Sequence, residues 1–567
     1  MTPAATTSRG ALDRLQIAAL LREIGMRLRL AEGRSFSGRA YENAARSLQL
    51  LDLDLDLLVR ETRLEEIPGV GPAIARDIAQ LALEGRSERL ERLRGELPSA
   101  VLEMSRVPGV GLAKARRLFE LGGIGSVPEL EAACRAESVR ELAGFGPATE
   151  RRILEGIEQH RERSVRAPLS VVLDLAELLV AHLREHRATI RAELAGEIRR
   201  WAASVDAISI VAATEDPPSL VERLLAHPMV ARVSWRRRDA CRARLATGLP
   251  VTLDTSVPER FGWLWLRATG PAAHVAELET LAERAGLALE DLEADTEEAV
   301  YAALDVPEVP PEPRGVAVLG ESFHDLLTEQ DVRGLLHCHS DWSDGRHGIE
   351  ELARAAEELG FSYLTITDHS RSAHYAGGLE IDRLESQWRE IDRVRERVRI
   401  RILRGAEVDV LRDGELDYPD EVLSRLEVVI ASLHSALRLD EDAQTARLIR
   451  ALRHPCFKIL GHPLARIVQH RPPIACRVEE VLDAAAVSAA AVEVNGDPRR
   501  LDLPAEWIPA VRARGIPLVV STDAHSTRGF GHLRWAVATA RRGGARRNDV
   551  LNTLEAERFA RTVRPRR

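Results

Sequence analysis

The segment HCHSDWSDG at 337–345 sets two imidazoles, His337 and His339, two residues apart, with Asp344 a few positions on. On a strand both rings point to one face and Cys338 to the other. Five further segments carry the same kinds of group: TDH with His369, GAEVD with Glu407, SLH with His434, GHP with His462, and STDAH with Asp523 and His525. Imidazole nitrogens and carboxylate oxygens suit borderline divalent cations such as manganese, zinc or iron. Nine such donors exceed what one ion needs, so two or three ions are expected. Ions held in this way lower the pKa of water toward neutrality, and hydrolysis without a covalent nucleophile is the chemistry that follows. A lone histidine at the end of a strand usually makes a structural hydrogen bond. Nine donors at corresponding places are not independent accidents, whereas His347, His374, His454 and His470 fall off the pattern.

Elements must bring these residues together. Over 331–567, apolar strand-like runs (YLTIT, RILRGAEV, VVIASLH, FKILGH, AAVEVN, PLVVSTDAH) alternate with helical segments. That rhythm predicts parallel strands joined by crossover helices and closing into a barrel, whose strand C-terminal ends converge on one face. Nearly every donor stands at such an end. Upstream, DVPEVPPEPRG at 305–315 reads as a linker, and 166–300 reads as α+β, with VDAISIV, PVTLD and FGWLWLRA as strand-like runs. Residues up to about 165 are helical, beginning with Ile17, Leu20, Leu21 and Ile24 on one helical face.

A single theme occurs three times within this helical region: IPGVGPAIARDIAQL at 67–81, VPGVGLAKARRLFEL at 107–121 and AGFGPATERRILEGI at 143–157. Each Gly-x-Gly turn (Gly69 and Gly71, Gly109 and Gly111, Gly144 and Gly146) leads directly into a helix. Such a turn lets the backbone approach a phosphate, and the N–H groups that open the helix complete an anion site. A solitary copy would be ordinary packing punctuation; three argue for sequence-blind contact with a nucleic-acid backbone.

The 567 residues, with a formal charge of −9, give no global basic footprint, so a nucleic-acid surface has to be local or built from amides and metals. The five cysteines (Cys134, Cys241, Cys338, Cys456, Cys476) show no paired spacing, which fits a reducing compartment. The sequence holds no apolar run of membrane-spanning length and no signal-peptide pattern, so a cytoplasmic, membrane-free location is expected. The terminal RTVRPRR reads as a frayed basic tail.

The C-terminal motifs HCHSDWSDG, TDHS, GAEVD, ASLHS, GHPLAR, AVEVNGDPRRLDL and STDAH together resemble a PHP (polymerase and histidinol phosphatase) domain, a distorted (β/α)7 barrel that hydrolyses phosphoesters with a trinuclear metal cluster. The resemblance implies one ion on His337, His339, Glu407 and Asp523, a second on Glu407, His434 and His462, and a third on Asp344, His369 and His525, with Glu407 bridging. Glu407, Asp523 and His434 would be central to catalysis. Arg466, Arg499 and Arg500 are candidates for holding substrate phosphates, since guanidinium matches phosphate bidentately.

The Gly-x-Gly repeats resemble helix-hairpin-helix modules. In this order, hairpins, an α+β middle and a PHP domain, the chain resembles the bacterial family X DNA polymerases. It divides accordingly into a helical domain at 1–90 with the first hairpin, a fingers-like domain at 91–165 with the other two, a nucleotidyltransferase-like palm and thumb at 166–302, a linker at 303–330 and the PHP domain at 331–567. That family's palm carries Gly-Ser-x-Arg-Arg, then Asp-x-Asp on a strand and a third Asp on a neighbouring strand, because two magnesium ions and a triphosphate need hard oxygen ligands. Here the turn is GEIRR: Arg199 and Arg200 remain, and Glu197 replaces the serine. Ala207, Ser209 and Thr252 fall at the carboxylate positions, with Asp206 one residue off and Asp254 two residues on. A magnesium–dNTP complex in this palm is therefore not expected. His274 keeps the family's histidine after TGPAA, with Pro271 in place of serine. No lysine precedes Lys114, which argues against the Schiff-base lyase chemistry of some relatives.

The expectation is a monomeric, DNA-directed, metal-dependent phosphoesterase with manganese as the first candidate ion, acting on DNA 3′ ends as a 3′-to-5′ exonuclease or end-processing enzyme. Two alternatives stand beside it, a working gap-filling polymerase and a small-molecule phosphatase of the histidinol-phosphate type.

Overall fold

The computed structural model describes residues 14–565 apart from 33–34, 50–54, 68, 97–100, 102–103, 106 and 163–165. The chain forms two compact units, Met1–Val165 and Arg166–Arg567. Among the described residues no helix is long and apolar enough to cross a membrane.

The described residues of the first unit are helices and turns and hold two apolar cores, one around Ile17, Leu21, Ile24, Leu48 and Ile78, the other around Val107, Leu118, Leu130 and Ile153. The three Gly-x-Gly turns share one conformation. In each, the first glycine is left-handed, at φ +81° in Gly69, +84° in Gly109 and +85° in Gly144. The residue between the glycines donates its N–H three residues back, Val70 to Ile67, Val110 to Val107 and Phe145 to Leu142. The carbonyl of the second glycine then accepts from the opening turn of the helix, from Ala75, Ala115 and Glu150 respectively. A Cβ on Gly71, Gly111 or Gly146 would meet nothing within 4 Å, so the space before each helix start is open. The second and third turns pack reciprocally: a Cβ on Gly156 would lie 2.0 Å from the Pro108 carbonyl, and Arg117 of the second hairpin's helix donates to the Ala143 carbonyl of the third turn.

The second unit begins with a five-stranded mixed sheet made of β1 (Arg191–Ala195), β2 (Ile208–Ala213), β3 (Val230–Arg236), β4 (Ala240–Leu245) and β5 (Pro250–Ser256), in the order β1-β2-β5-β4-β3. One face packs on the helices Leu169–Arg184 and Pro217–Leu225 through Ile208, Ile210, Cys241, Ala243, Val251 and Leu253. FGWLWLRAT does not form the expected strand. It is the helix Phe261–Thr269, sandwiched so that Phe261 and Leu264 pack on the sheet and Trp263 and Leu266 on the helices that follow. Burial on two sides erases the amphipathic period and leaves an apolar run that periodicity cannot tell from a strand.

The stretch 305–315 is not a loose tether. Arg314 is buried and pairs with Glu297 at 2.9 Å, and Glu312 binds Arg541 of the C-terminal domain at 2.8 Å, so prolines and charges here are packing elements.

Seven parallel strands follow in sequential order: β6 (Gly334–Cys338), β7 (Tyr363–Ile366), β8 (Arg401–Asp409), β9 (Val428–Ser432), β10 (Ile459–Leu460), β11 (Ala491–Asn495) and β12 (Leu518–Ser521). The loop after β12 closes the ring onto β6, with Ala524 N–H donating to the His337 carbonyl at 3.0 Å and His339 N–H to the Ala524 carbonyl at 2.8 Å. The N-terminal end of the barrel is filled by Leu336, Tyr363, Leu403, Ile430 and Val519 together with Phe559, Ala560 and Val563. Those last three belong to the helix Ala556–Val563, so the terminal segment is a plug as far as Pro565 rather than a frayed tail. Its apolar residues fall on one helical face, which the basic residues around them obscure in the sequence.

Candidate metal centre

At the opposite end of the barrel, alternation turns Glu407 and Glu493 inward while Ala406, Val408, Val492 and Val494 pack outward. Leu336 and His337 are consecutive yet both face the interior, a geometry that strand alternation forbids. The left-handed backbone of His337, φ +58°, breaks the alternation there, and the pairing of β6 with β7 is irregular at the same point. His462 and Asp523 are also left-handed, at φ +23° and +47°. Such conformations cost on the order of 1 kcal/mol or more in a non-glycine residue and collect where side chains must be aimed.

All nine donors singled out in the sequence meet at this mouth. Their donor atoms converge in four overlapping groups: His339, Asp344, His369 and His525; His337, His462 and Asp523; His337, His339 and Glu407; and His369, Glu407 and His434. Glu407 is central, with Oε1 2.9 Å from His462 Nε2 and 3.3 Å from His434 Nε2, and Oε2 2.9 Å from His369 Nδ1. His369 thus stands between two of the expected ion positions, and His339 joins the group of Asp344 and His525, a sharing that strand positions alone do not predict.

Both ring nitrogens of His339 and His462 Nδ1 are buried without a hydrogen-bond partner, while His337 Nε2 and His369 Nδ1 lie 3.2 and 2.9 Å from the Glu407 carboxylate without the alignment of a hydrogen bond. Leaving such groups unpaired costs about 1–3 kcal/mol each. Divalent cations fit that donor set, because unshared imidazole nitrogens and carboxylate oxygens are what they take. Burial pushes Glu407 up, but the rings of His434, His337 and His369 overcome it and hold the carboxyl well below its usual range. Burial together with the neighbouring His525 and His369 rings pushes His339 down to about 3, which keeps it in the neutral form that binds metals.

Three buried acids missed in the sequence reading stand behind these ligands, and two of them touch a candidate ligand directly. Glu493, fully buried, lies 2.5 Å from His337 Nδ1 and accepts the His462 backbone N–H. Asp409 lies 2.5 Å from His434 Nδ1, and Asp368 accepts from Ser340, Ser343 and Gln387. Two of the three carried a signal: Glu493 is the lone charge in a buried VEV strand, and Asp409 follows Glu407 by two residues and so shares its face. A carboxylate behind a metal-binding histidine fixes its tautomer and ring orientation.

The three candidate arginines separate. Arg500 points at the cluster, its Nε 3.1 Å from Asp523 Oδ2. Arg499 is mostly exposed and clamps Asp497 at 2.6 Å. Arg466 is engaged by the main chain, donating to the carbonyls of Arg500 at 2.9 Å and of Leu501. Leu501 is itself within the core beneath the five-stranded sheet, beside Trp535, whose ring meets Trp201 edge-on at 5.1 Å. The loop that carries Arg500 is therefore braced by the preceding domain.

In that domain Ser209 and Thr252 are direct neighbours across β2 and β5. Asp206 is exposed ahead of β2, its N–H donating to Glu197, and Asp254 stands opposite Val211. Arg199 forms a bidentate pair with Glu297 at 2.6 Å and lies 3.5 Å from the Trp265 ring centroid, while Arg200 donates to the Thr269 carbonyl. His274 Nε2 is 2.7 Å from the Tyr301 hydroxyl, both buried. Among the described residues, every group of three or more converging His, Cys, Asp or Glu donors lies in the barrel. In the helical unit Lys114 donates to the Gly109 carbonyl at 3.0 Å.

Residues 336–495 match the PHP domain family, 13–87 a helix-hairpin-helix domain and 101–159 a SAM-like helix-hairpin-helix tandem. The barrel is thus a PHP domain. The chain is 30% identical over 558 residues, 95% of its own length and 97% of the relative's, to the DNA polymerase/3′-5′ exonuclease PolX of Bacillus subtilis (strain 168), and it belongs to that family, the bacterial family X DNA polymerases with a C-terminal PHP domain. A probable phosphatase of Thermoanaerobacter sp. (strain X514) is 29% identical over 236 residues, covering 38% of this chain and 89% of that protein. A probable phosphatase of Shewanella sediminis is 27% identical over 215 residues, 36% of this chain and 82% of that protein.

Proposed function

We propose that the protein is a DNA-directed, metal-dependent phosphoesterase that cleaves 3′-terminal phosphodiesters or removes 3′ blocking groups, and that its palm does not polymerise. The observation that carries this reading is a contrast within one unit: nine donors converge in the barrel, while Ala207, Ser209 and Thr252 stand where polymerase carboxylates would be. His337, His339, Asp344, His369, Glu407, His434, His462, Asp523 and His525 would hold two or three divalent ions, manganese first among the candidates and zinc or iron next. When bound, such ions activate water and neutralise charge on a phosphoryl group. Arg500 is placed to hold a substrate phosphate beside Asp523, and Glu493 and Asp409 aim His337 and His434 inward. The open Gly-x-Gly turns suit backbone phosphates, in keeping with a bacterial relative named as a DNA polymerase and 3′-5′ exonuclease. A cytosolic monomer acting on DNA ends accords with this assignment.

The test is incubation of the purified full chain with a 5′-labelled primer–template and manganese, with and without dNTPs. Shortening that Asp523→Ala abolishes is the expected result. Templated extension that Asp206→Ala abolishes would overturn the inactive palm, and turnover of small phosphomonoesters with intact DNA would indicate a small-molecule phosphatase.

A further inference from the structure

We propose that Tyr375 is the platform on which the base of the 3′-terminal nucleotide stacks while its phosphodiester lies in the metal centre. The inference rests on the reading of the barrel as an enzyme that acts on DNA ends. Tyr375 leaves 72% of its surface in water, yet its ring lies 6.3 Å from the ring of His369 and 6.3 Å from that of His434. Those two rings are 5.2 Å apart, and both histidines reach Glu407, the central donor. The phenol therefore stands over one flank of the cluster, while Arg500 approaches it at Asp523.

The loop that carries Tyr375, 370–379, is tied down along its length. Ser370 donates its N–H to the Glu407 carbonyl and Leu379 its N–H to the His369 carbonyl, both at 2.9 Å. The Ser372 N–H reaches Asp417 at 2.7 Å, and its hydroxyl reaches Asp409 at 2.6 Å. Asp409 also lies against His434 Nδ1, so one carboxylate is shared by a candidate ligand and the loop that presents the phenol. Gly378 passes so near Ser370 that a Cβ there would lie 2.1 Å from the Ser370 carbonyl oxygen. Ala373 and Ala376 are buried at the two ends of the turn, and His374 and Tyr375 between them face water. Among the described residues, none of the apolar cores includes the Tyr375 ring.

An exposed tyrosine by itself is common. A braced loop that holds one beside a metal centre, with no core packing to gain, suits a flat ligand with an apolar face. A nucleobase fits that description, and it stands one sugar away from the phosphodiester that joins its nucleotide to the strand. With that phosphodiester at the shared donors and its charge against Arg500, the base falls on the flank where Tyr375 stands. Every base has a π face, so the contact reads no sequence. What it distinguishes is a terminus that bears a base from one that has lost it. Stacking uses the ring and not the hydroxyl, which separates this role from that of a ligand or proton donor.

The experiment gives the full-length protein, with manganese, 5′-labelled oligonucleotides that end in thymidine or in an abasic tetrahydrofuran residue. Wild type should prefer the thymidine terminus. Tyr375→Ala should shrink that preference in kcat/KM by roughly 5- to 150-fold, the equivalent of about 1–3 kcal/mol of base–aromatic stacking, through KM rather than kcat. Tyr375→Phe should keep most of the preference. A second readout needs no turnover: 2-aminopurine at the 3′ terminus, behind a phosphorothioate linkage that slows hydrolysis, should lose fluorescence on binding wild type or the Phe variant but not the Ala variant. No preference or quenching in wild type, values unchanged in Tyr375→Ala, a Phe variant as impaired as Ala, or equal losses on both termini would each overturn the proposal. The two readings fail separately: Tyr375-dependent quenching by a protein that does not shorten labelled DNA refutes end-processing alone, and shortening with Tyr375-independent quenching refutes the platform alone.

Discussion

Glu493 offers the sharpest test of how the metal centre is built. Its carboxylate is fully buried and serves three partners at once, His337 Nδ1 at 2.5 Å, the His462 N–H, and Asn495 Nδ2, which donates at 3.2 Å. Glu493→Gln keeps the shape and removes the charge, so the amide has to face a ring nitrogen or an N–H with one oxygen where there were two. Removing a carboxylate from behind a metal-binding histidine costs 10- to 100-fold in metal affinity, about 1.4–2.7 kcal/mol. The Gln variant should therefore fold, yet need roughly 10- to 100-fold more manganese for half-maximal cleavage of 5′-labelled DNA, with maximal rate partly recovered at saturation. Glu493→Ala should also destabilise the fold, because His337 Nδ1 and the His462 N–H lose their acceptor at about 1–3 kcal/mol each, whereas Asn495 Nδ2 keeps Asp523. Manganese titration of cleavage, paired with metal content after dialysis, reads the first effect, and urea unfolding reads the second. A Gln variant with wild-type metal content and manganese dependence would refute the role given to Glu493.

Three other perturbations test the packing that surrounds the site. Gly156→Ala drives a methyl into the Pro108 carbonyl, and the two reciprocal hairpins should lose about 1–3 kcal/mol in chemical denaturation followed by helical circular dichroism. Glu297→Gln leaves Arg199 and Arg314 without their shared carboxylate and should cost about 3–5 kcal/mol. Burial pushes Glu297 up, but Arg199 and Arg314 outweigh it and hold the carboxyl below its ordinary value. Its contribution is therefore present at neutral pH and lost as pH falls below the unfolded value of about 4.5 through the depressed folded one, and the gap between wild type and variant should close in acid. Leu501→Ala, in the core below the palm sheet, should lower kcat for DNA cleavage through Arg500 with metal content unchanged, and combining it with Arg500→Ala should add little to Arg500→Ala alone.

Much of the barrel was legible because its information is local. Strand-helix alternation and the terminal position of each donor (TDH, SLH, GHP, STDAH) are properties of short segments, and parallel strands bring their C-terminal ends to one face. The Gly-x-Gly turns were legible for the same reason, since left-handed glycines and helix starts belong to a few consecutive residues. FGWLWLRA was misread because its burial comes from two sides, which only packing supplies, and RTVRPRR because the plug needs the open end of a barrel to enter.

What the sequence by itself determined is the inventory of donors, the uncharged residues Ala207, Ser209 and Thr252, and the order of segments. Only the tertiary structure decided which donors share Glu407, that His337 turns inward against its strand's alternation, and that Arg500 rather than Arg466 or Arg499 faces the centre. Each of these depends on strand register or on residues far apart in the chain, and chain connectivity carries no record of either until the strands pair.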